Sequence, residues 1–161
     1  MAEIPAINTS PLIFLTKGNY LSLLQVVSQK FVVPKVVATE VQAYGDSDVT
    51  AQALAQTEWL MIRETPPVPS LIQSWDLGAG ESAVLSWGYA YGGTEVIIDD
   101  LMGRRCANAL QIPVRGTLGV VLLAKQRGVI SKARLVLETL KQSGMYLSDN
   151  VMNEALKMVN E

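Results

Sequence analysis

Residues 96–100 read Val96-Ile97-Ile98-Asp99-Asp100, three β-branched residues followed at once by two carboxylates. Consecutive apolar β-branched residues are typical of a strand that is buried on both faces, as in a parallel sheet. In an open parallel sheet, ligands bind beyond the carboxyl ends of the strands. The stretch therefore predicts a buried strand over residues 96–98 that delivers Asp99 and Asp100 to a ligand site.

The remainder of the chain alternates short strands with helices. Further strands are predicted over residues 4–8, 31–33, 59–64 and 112–114. Helices are predicted over about residues 11–16, 20–28, 34–44, 51–56, 81–91, 101–110, 118–126, 132–142 and 148–160. This alternation predicts an α/β fold, a three-layer α/β/α arrangement with a short central parallel sheet. A length of 161 residues without an interdomain linker predicts one domain over residues 1–161.

The composition is that of a folded protein kept in a reducing compartment. Hydrophobic residues make up 49% of the chain and charged residues 17%, which is enough apolar surface for a core. No apolar stretch approaches the roughly 20 residues that cross a bilayer, and the first residues lack the pattern of a signal peptide. Cys106 is the only cysteine, so no internal disulfide forms. We therefore expect a cytoplasmic protein without membrane attachment.

The chain contains no histidine. This excludes Ser-His-Asp hydrolases, His-assisted cysteine enzymes, His-ligated zinc and histidine phosphorelay. A single cysteine cannot build a thiolate zinc site either. A bound metal would therefore have oxygen ligands, which favours Mg²⁺ or Mn²⁺.

Charge is divided unevenly along the chain, although the net charge is only −2. Residues 1–99 carry 4 Lys/Arg and 10 Asp/Glu, whereas residues 100–161 carry 9 and 5, so the two parts have net charges of −6 and +4. An acidic focus beside a basic surface suits metal-dependent phosphodiester chemistry. Solvated helices that simply differ in charge are the alternative interpretation.

Two candidate ligands precede residue 80. Asn8 directly follows the first predicted strand, where its amide oxygen could reach the site or its side chain could serve a turn and helix cap. Glu40 lies one helical turn from Val36 and Val37, so we expect it to share the face that packs on the core. A carboxylate there is costly unless it is paired or bound to a cation; an edge position that reaches water is the alternative.

Three further carboxylates follow. Glu81 begins a helix after Gly80, where it either complements the helix dipole or acts as a ligand. One of Asp99 and Asp100 can cap the next helix, but two adjacent carboxylates at a strand exit are harder to explain as caps alone. Like charges this close repel unless a cation neutralises them, so at least one of the pair is expected to be functional.

Candidate phosphate contacts follow the acidic pair. Arg104 and Arg105 lie on the next predicted helix, where they either bind a phosphate or form part of a solvated face. Thr117 begins a helix after Gly116, where backbone amides could meet an anion or the hydroxyl could simply act as a cap.

An ordered set of short motifs spans nearly the whole chain. The set comprises Asn8-Thr9-Ser10-Pro11-Leu12-Ile13, Val33-Pro34, Glu40-Val41, Gly80-Glu81-Ser82-Ala83, Ile98-Asp99-Asp100, Arg104-Arg105 with Ala107, and Gly116-Thr117-Leu118-Gly119-Val120. It resembles the PIN-like branch of bacterial and archaeal proteins that were formerly filed as a domain of unknown function.

This resemblance implies a PIN fold and a metal-dependent endoribonuclease with RNA as substrate. It also implies Mg²⁺ or Mn²⁺ as cofactor, relatives that act as toxins beside an antitoxin protein, and a homodimer. The family's four acids fall on Asn8, Glu40, Glu81 and Asp100, with Asp99 beside the last. We therefore predict catalytic roles for Glu40, Glu81, Asp99 and Asp100, metal ligation by Asn8, Glu40, Glu81 and Asp100, and substrate contacts from Asn8, Arg104, Arg105 and Thr117.

The family usually has an aspartate where this chain has Asn8. Asparagine keeps an oxygen ligand but loses the negative charge, which weakens Mg²⁺ binding. The main alternative is therefore a catalytically weakened PIN-like module that binds RNA or protein. A receiver-like signalling domain fits less well, because the acidic pair comes late in the chain. The last helix has an apolar face, Val151, Met152, Leu156 and Val159, that suits either a dimer interface or the core.

Overall fold

A computed structural model describes residues 3–161 and contains a five-stranded sheet in which all strands are parallel. The order across the sheet is β3-β2-β1-β4-β5. The strands are β1 (Ala6–Ile7), β2 (Phe31–Pro34), β3 (Leu60–Arg63), β4 (Val96–Ile97) and β5 (Val114–Arg115). The strand predicted at residues 96–98 is therefore present, and it lies beside the central strand.

The centre of the sheet is buried on both faces. Ala6 of β1 pairs with Val32 of β2 and with Val96 of β4, and every residue of these three strands is buried. From β1 the chain first adds β2 and β3 on one side, and later adds β4 and β5 on the other. The order of strands thus reverses between β1 and β4, which is where open α/β sheets form their ligand crevice.

The described residues also form nine α-helices and one 3₁₀ helix, Leu21–Val26. The α-helices are α1 (Thr9–Lys17), α2 (Lys35–Gln42), α3 (Val49–Gln56), α4 (Ser70–Gln73), α5 (Ala79–Ala90), α6 (Leu101–Ala109), α7 (Thr117–Gln126), α8 (Ala133–Gln142) and α9 (Asp149–Met158). Helix α1 packs with α2, α3, α7 and α8, while α5 packs with α2, α4 and α6. Crossovers between parallel strands are right-handed, so crossovers that run in opposite directions along the sheet lie on its opposite faces. Helices therefore flank the sheet on both sides, and the predicted α/β fold is confirmed.

Three local predictions differ from the structure. The helix predicted at residues 20–28 is a six-residue 3₁₀ helix. In so short a segment, too few hydrogen bonds follow the first turn of an α-helix to offset the unfavourable free energy of forming that turn. The last strand begins at Val114 rather than residue 112, because Pro113 has no N–H for the ladder. Residues 65–80, for which neither a helix nor a strand was predicted, contain the short helix α4, which begins after Pro69.

The apolar face of α9 belongs mainly to the core. Met152, Leu156 and Val159 are buried within the chain, whereas Val151 is half exposed. Burial of three of these four side chains supports the intramolecular interpretation over a dimer interface built on the whole face. No helix within residues 3–161 has both the length and the apolar character needed to cross a membrane.

Candidate active site

The carboxyl ends of β1 and β4 place Asn8 and the two aspartates at one edge of the sheet. Asn8 directly follows β1, and its backbone N–H donates to the carbonyl of Ile97 in β4 at 3.0 Å. Asp99 and Asp100 follow β4 after one further buried residue, Ile98. Two short strands with fixed parallel register therefore bring residues that are about ninety positions apart to the same crevice.

The side chain of Asn8 joins the first strand exit to helix α5. Its Nδ2 donates to Oε1 of Glu81 at 3.1 Å. Only the amide nitrogen can donate to a carboxylate, so this bond fixes the orientation of the amide. The other amide atom, Oδ1, is buried and has no hydrogen-bond partner among the described residues. A buried carbonyl oxygen without a partner is costly, and it is what a ligand or cation can satisfy.

Glycine at position 80 allows Glu40 to approach Asn8. A Cβ at Gly80 would lie 2.8 Å from Asn8 Oδ1 and 3.2 Å from Glu40 Oε1, so a larger residue would displace both oxygens. The other oxygen of Glu40 accepts from the Thr9 hydroxyl at 2.6 Å. The prediction that Glu40 faces the core is wrong: its side chain is exposed at the crevice edge, because Val37, Ala38 and Val41 form the buried face of α2.

Glu81 and Asp100 meet over Gly103 in the first turn of α6. Asp100 caps α6 by accepting from the Gly103 N–H at 2.8 Å. A Cβ at Gly103 would lie 3.6 Å both from Asp100 Oδ2 and from Cγ of Glu81. The cap occupies one oxygen of Asp100, so capping and a role in the site are compatible.

Asp99 is engaged differently from its neighbour. Its Oδ1 accepts from the Thr117 backbone N–H at 2.6 Å, and its Oδ2 accepts from the Thr117 hydroxyl at 2.7 Å. Thr117 is fully buried, at 0% exposure. The amide and the hydroxyl of Thr117 are therefore not free to meet an anion, and the hydroxyl does not cap α7 either, because it donates to Asp99.

A cleft of about 450 Å³ opens beside these groups. It is lined by Glu81, Asp99, Asp100 and Arg104, together with mainly apolar residues of α1, α7 and the segment before α9. Within residues 3–161 Arg104 forms no ion pair, so its guanidinium is available to a phosphate. Arg105 is absent from the cleft lining and lies near the sulfur of Met102 on the exposed side of α6.

The side chains form two linked groups rather than one cluster. Oxygens of Asn8 and Glu40 both lie at Gly80, an oxygen of Asp100 and the Cγ of Glu81 both lie at Gly103, and the Asn8–Glu81 hydrogen bond connects the two groups. No three Asp, Glu, His or Cys side chains within the described part of the chain are close enough to hold a metal ion. The predicted gathering of Glu40, Glu81, Asp99 and Asp100 around one ion is therefore not preformed.

The donor set nevertheless fits a hard divalent cation. Mg²⁺ commonly takes one or two carboxylates and keeps several waters, so it does not need a preformed cage. The unpartnered Oδ1 of Asn8 beside the Glu40 carboxylate offers a neutral and a charged oxygen. The buried Cys106 offers no alternative chemistry, because burial raises the pKa of its thiol and disfavours the thiolate.

Sequence reasoning missed several residues of the cleft. Thr9 contacts Glu40. The sequence feature that could have indicated Thr9 was its position between Asn8 and the helix predicted from residue 11. Phe14, four residues after Ser10, follows it on the same face of α1, and both line the cleft. Tyr146 also lines the cleft, and nothing in the local pattern indicated that it would lie there.

The fold and the site together define a class: a parallel α/β domain whose switch point carries an amide, several carboxylates and an arginine that forms no ion pair within residues 3–161. A family model described as a PIN domain matches residues 4–161, and the chain belongs to this family. The resemblance noted in the sequence is thereby confirmed. PIN domains have a nuclease-type fold and generally use divalent metals. No curated protein matches the chain in a sequence search.

Proposed function

We propose that this protein is a metal-dependent endoribonuclease that uses Mg²⁺ or Mn²⁺. The observation that carries the proposal is the buried Asn8 Oδ1, which has no partner among the described residues and lies beside the Glu40 carboxylate, within one hydrogen bond of Glu81. A cation can bind such an oxygen and at the same time neutralise the neighbouring carboxylate.

The residues of the chain have separable roles in this proposal. Asn8 and Glu40 would hold the ion through their oxygens, and the carboxylates of Glu81 and Asp100 would add negative charge around it. The ion, when bound, supplies Lewis acidity toward the phosphodiester oxygens. Thr9 orients Glu40 through its hydroxyl. Arg104 pairs with a phosphate of the RNA, and Asp99 positions the start of α7 at the cleft wall.

Purified protein should cleave RNA only when Mg²⁺ or Mn²⁺ is present. Glu40→Gln, Glu81→Gln and Asp100→Asn should each lower the rate by at least about tenfold, which corresponds to roughly 1.4 kcal/mol of lost transition-state stabilisation. Cleavage is measured with a labelled oligoribonucleotide under single-turnover conditions. Asp100→Asn is the cleanest variant, because asparagine caps a helix about as well as aspartate.

Glu154→Gln provides the matched control, because this side chain is exposed on α9 and pairs only with Lys157. It should cleave RNA as the wild type does. Equal rates in the wild type, the control and all three site variants would point to a contaminating nuclease and reject the proposal.

A second candidate function is an RNA- or protein-binding module with a weakened site. The absence of a three-ligand metal group within the described residues favours it, as does the neutral Asn8 where the family usually has an acid. RNA binding without metal-dependent cleavage would support this candidate over the nuclease.

The narrower proposal, that this nuclease is the toxin of a toxin–antitoxin pair, rests on the family resemblance alone. The antitoxin partner and the homodimer have the same basis.

The exposed apolar side chains of α9, Val151 and Met158, are seven residues apart and therefore share one exposed face. This face is smaller than the one predicted from the sequence.

A further inference from the structure

Tyr146 is held at the mouth of the cleft with its side chain almost fully in solvent. It is 89% exposed, the highest value among the exposed large hydrophobic residues. The residues on either side, Met145 and Leu147, are only 8% and 9% exposed. A backbone anchored on both sides by buried neighbours holds the tyrosine outward in a fixed position, which a loose loop would not do.

The segment that carries Tyr146 is also fixed at its two ends. Gly144, at φ 109°, ends α8 in a conformation that favours glycine, and its N–H donates to the Lys141 carbonyl. Ser148 then caps α9 by accepting from the Val151 N–H at 3.2 Å. Three residues, Met145, Tyr146 and Leu147, therefore cross the cleft edge between two helix termini.

The lining of the cleft is partly apolar and partly charged. Phe14, Leu118 and Val151 contribute apolar side chains, while Glu81, Asp99, Asp100 and Arg104 contribute the charged groups. A volume of about 450 Å³ lies within the range of small-molecule sites, which combine apolar walls with a few polar groups.

We infer that the apolar part of this cleft is a base-binding subsite, in which one unpaired nucleobase of an RNA chain stacks on Tyr146. The inference rests on the proposed function, since it names what the same cleft binds beside the carboxylates. Carboxylates repel phosphates, so the uncharged base is the part of a nucleotide suited to the apolar wall. Arg104 then meets the adjacent phosphate. An aromatic ring with an apolar wall suits any base, because every base has a π-face.

The test measures binding of a labelled single-stranded oligoribonucleotide of about ten nucleotides by fluorescence anisotropy. The protein carries Glu81→Gln and the buffer contains EDTA and no divalent metal, so bound RNA stays intact whether or not the wild type cleaves it. Tyr146→Ala should weaken binding roughly fivefold to a hundredfold, the range of base–aromatic stacking. Tyr146→Phe should bind as Tyr146 does, because it keeps the ring.

Two comparisons separate stacking from other effects of the variant. Tyr44→Ala removes another tyrosine that is 63% exposed but lies away from the cleft, and it should leave binding unchanged. A set of oligomers, each with one abasic position, should include a position at which Tyr146→Ala no longer weakens binding.

An equal loss of affinity for intact RNA and for every abasic RNA would overturn the inference, as would equal binding by the Tyr146→Ala variant and its parent. Equal binding by the variant and its parent would indicate that this surface binds a protein partner rather than RNA. Tyr146-dependent binding without cleavage by the wild type would reject the nuclease and keep the subsite. Cleavage without any dependence on Tyr146 would keep the nuclease and reject the subsite.

Discussion

Asn8 alters the site through one atom, the amide nitrogen that stands where an aspartate would have an oxygen. An aspartate at this position would place a second carboxylate within hydrogen-bond distance of Glu81, and a cation or a shared proton would be needed to relieve the repulsion. The amide of Asn8 instead donates to Glu81 and leaves its own oxygen free. The residue thus stabilises the site in the absence of metal, and it reduces the charge available to bind one.

Asn8→Asp should therefore raise the affinity for Mn²⁺, since the number of charged ligands tunes affinity in oxygen sites. We expect an increase on the order of tenfold, which corresponds to about 1.4 kcal/mol. In the presence of a chelator the variant should be less stable than the wild type by about 1–3 kcal/mol, because a buried hydrogen bond is lost. Titration calorimetry and thermal melts with and without Mn²⁺ measure the two effects.

Asn153→Asp is the matched control, because it adds the same charge at an exposed position of α9. It should change neither quantity. A melting temperature of Asn8→Asp that responds to Mn²⁺ no more than that of the wild type would show that Asn8 does not face the ion.

Helix termini account for much of the geometry at the level of elements. Asp100 caps α6, Ser148 caps α9, and Asp48 caps α3 by accepting from two backbone N–H groups. Helix α7 is different, because its first residue, Thr117, is held by an aspartate eighteen positions earlier. Asp99 thereby ties the exit of β4 to the start of α7, which forms one wall of the cleft.

Thr117→Val should lower the free energy of unfolding by roughly 1–3 kcal/mol, because it leaves an oxygen of Asp99 without its donor in a partly buried position. Urea denaturation of Thr117→Val, Asp99→Ala and the double variant measures the coupling, expected at about 0.5–3 kcal/mol. Strict additivity of the two single changes would contradict the tie between β4 and α7. Thr139→Val, which removes a hydroxyl on the surface of α8, should cost less than about 0.5 kcal/mol.

At the scale of the whole molecule, contacts near residue 161 hold helices together that are distant from it in the chain. The carboxylate of Glu161 accepts from the backbone N–H groups of Ala133 and Arg134 at the start of α8, and it pairs with Lys125 of α7 at 3.3 Å. Its side chain is only 6% exposed. Burial opposes the charged form, but the two amides and Lys125 outweigh it, so the pKa lies below the ordinary value of 4.5.

The contribution of Glu161 to stability should therefore depend on pH. A group whose pKa is lowered by folding stabilises the native state above its unfolded pKa, and this contribution is lost as the pH falls through the folded pKa. The stability difference between the wild type and Glu161→Gln should be constant near neutral pH and shrink below about pH 4.5. Denaturation of both proteins between pH 7 and pH 3 measures it. A difference independent of pH would show that the charge of Glu161 contributes nothing.

Local patterns sufficed for much of the fold. The apolar run of residues 96–98 indicated a buried strand, and the alternation of short strands with helices indicated a parallel sheet; both are present. The order of the motifs also indicated the family. These features follow from the sequence because backbone conformation and side-chain periodicity depend mainly on neighbouring residues.

The tertiary structure alone decided which oxygens are free and which are engaged. The periodicity of α2 placed Glu40 toward the core, but Val37, Ala38 and Val41 form the buried face of this helix, which leaves the Glu40 side chain exposed at the crevice. The Asn8–Glu81 hydrogen bond joins residues 73 positions apart in the chain. Tyr146 reaches the cleft only because α8 ends, and α9 begins, beside it. Distances between such residues depend on how helices pack against the sheet, which no local pattern specifies.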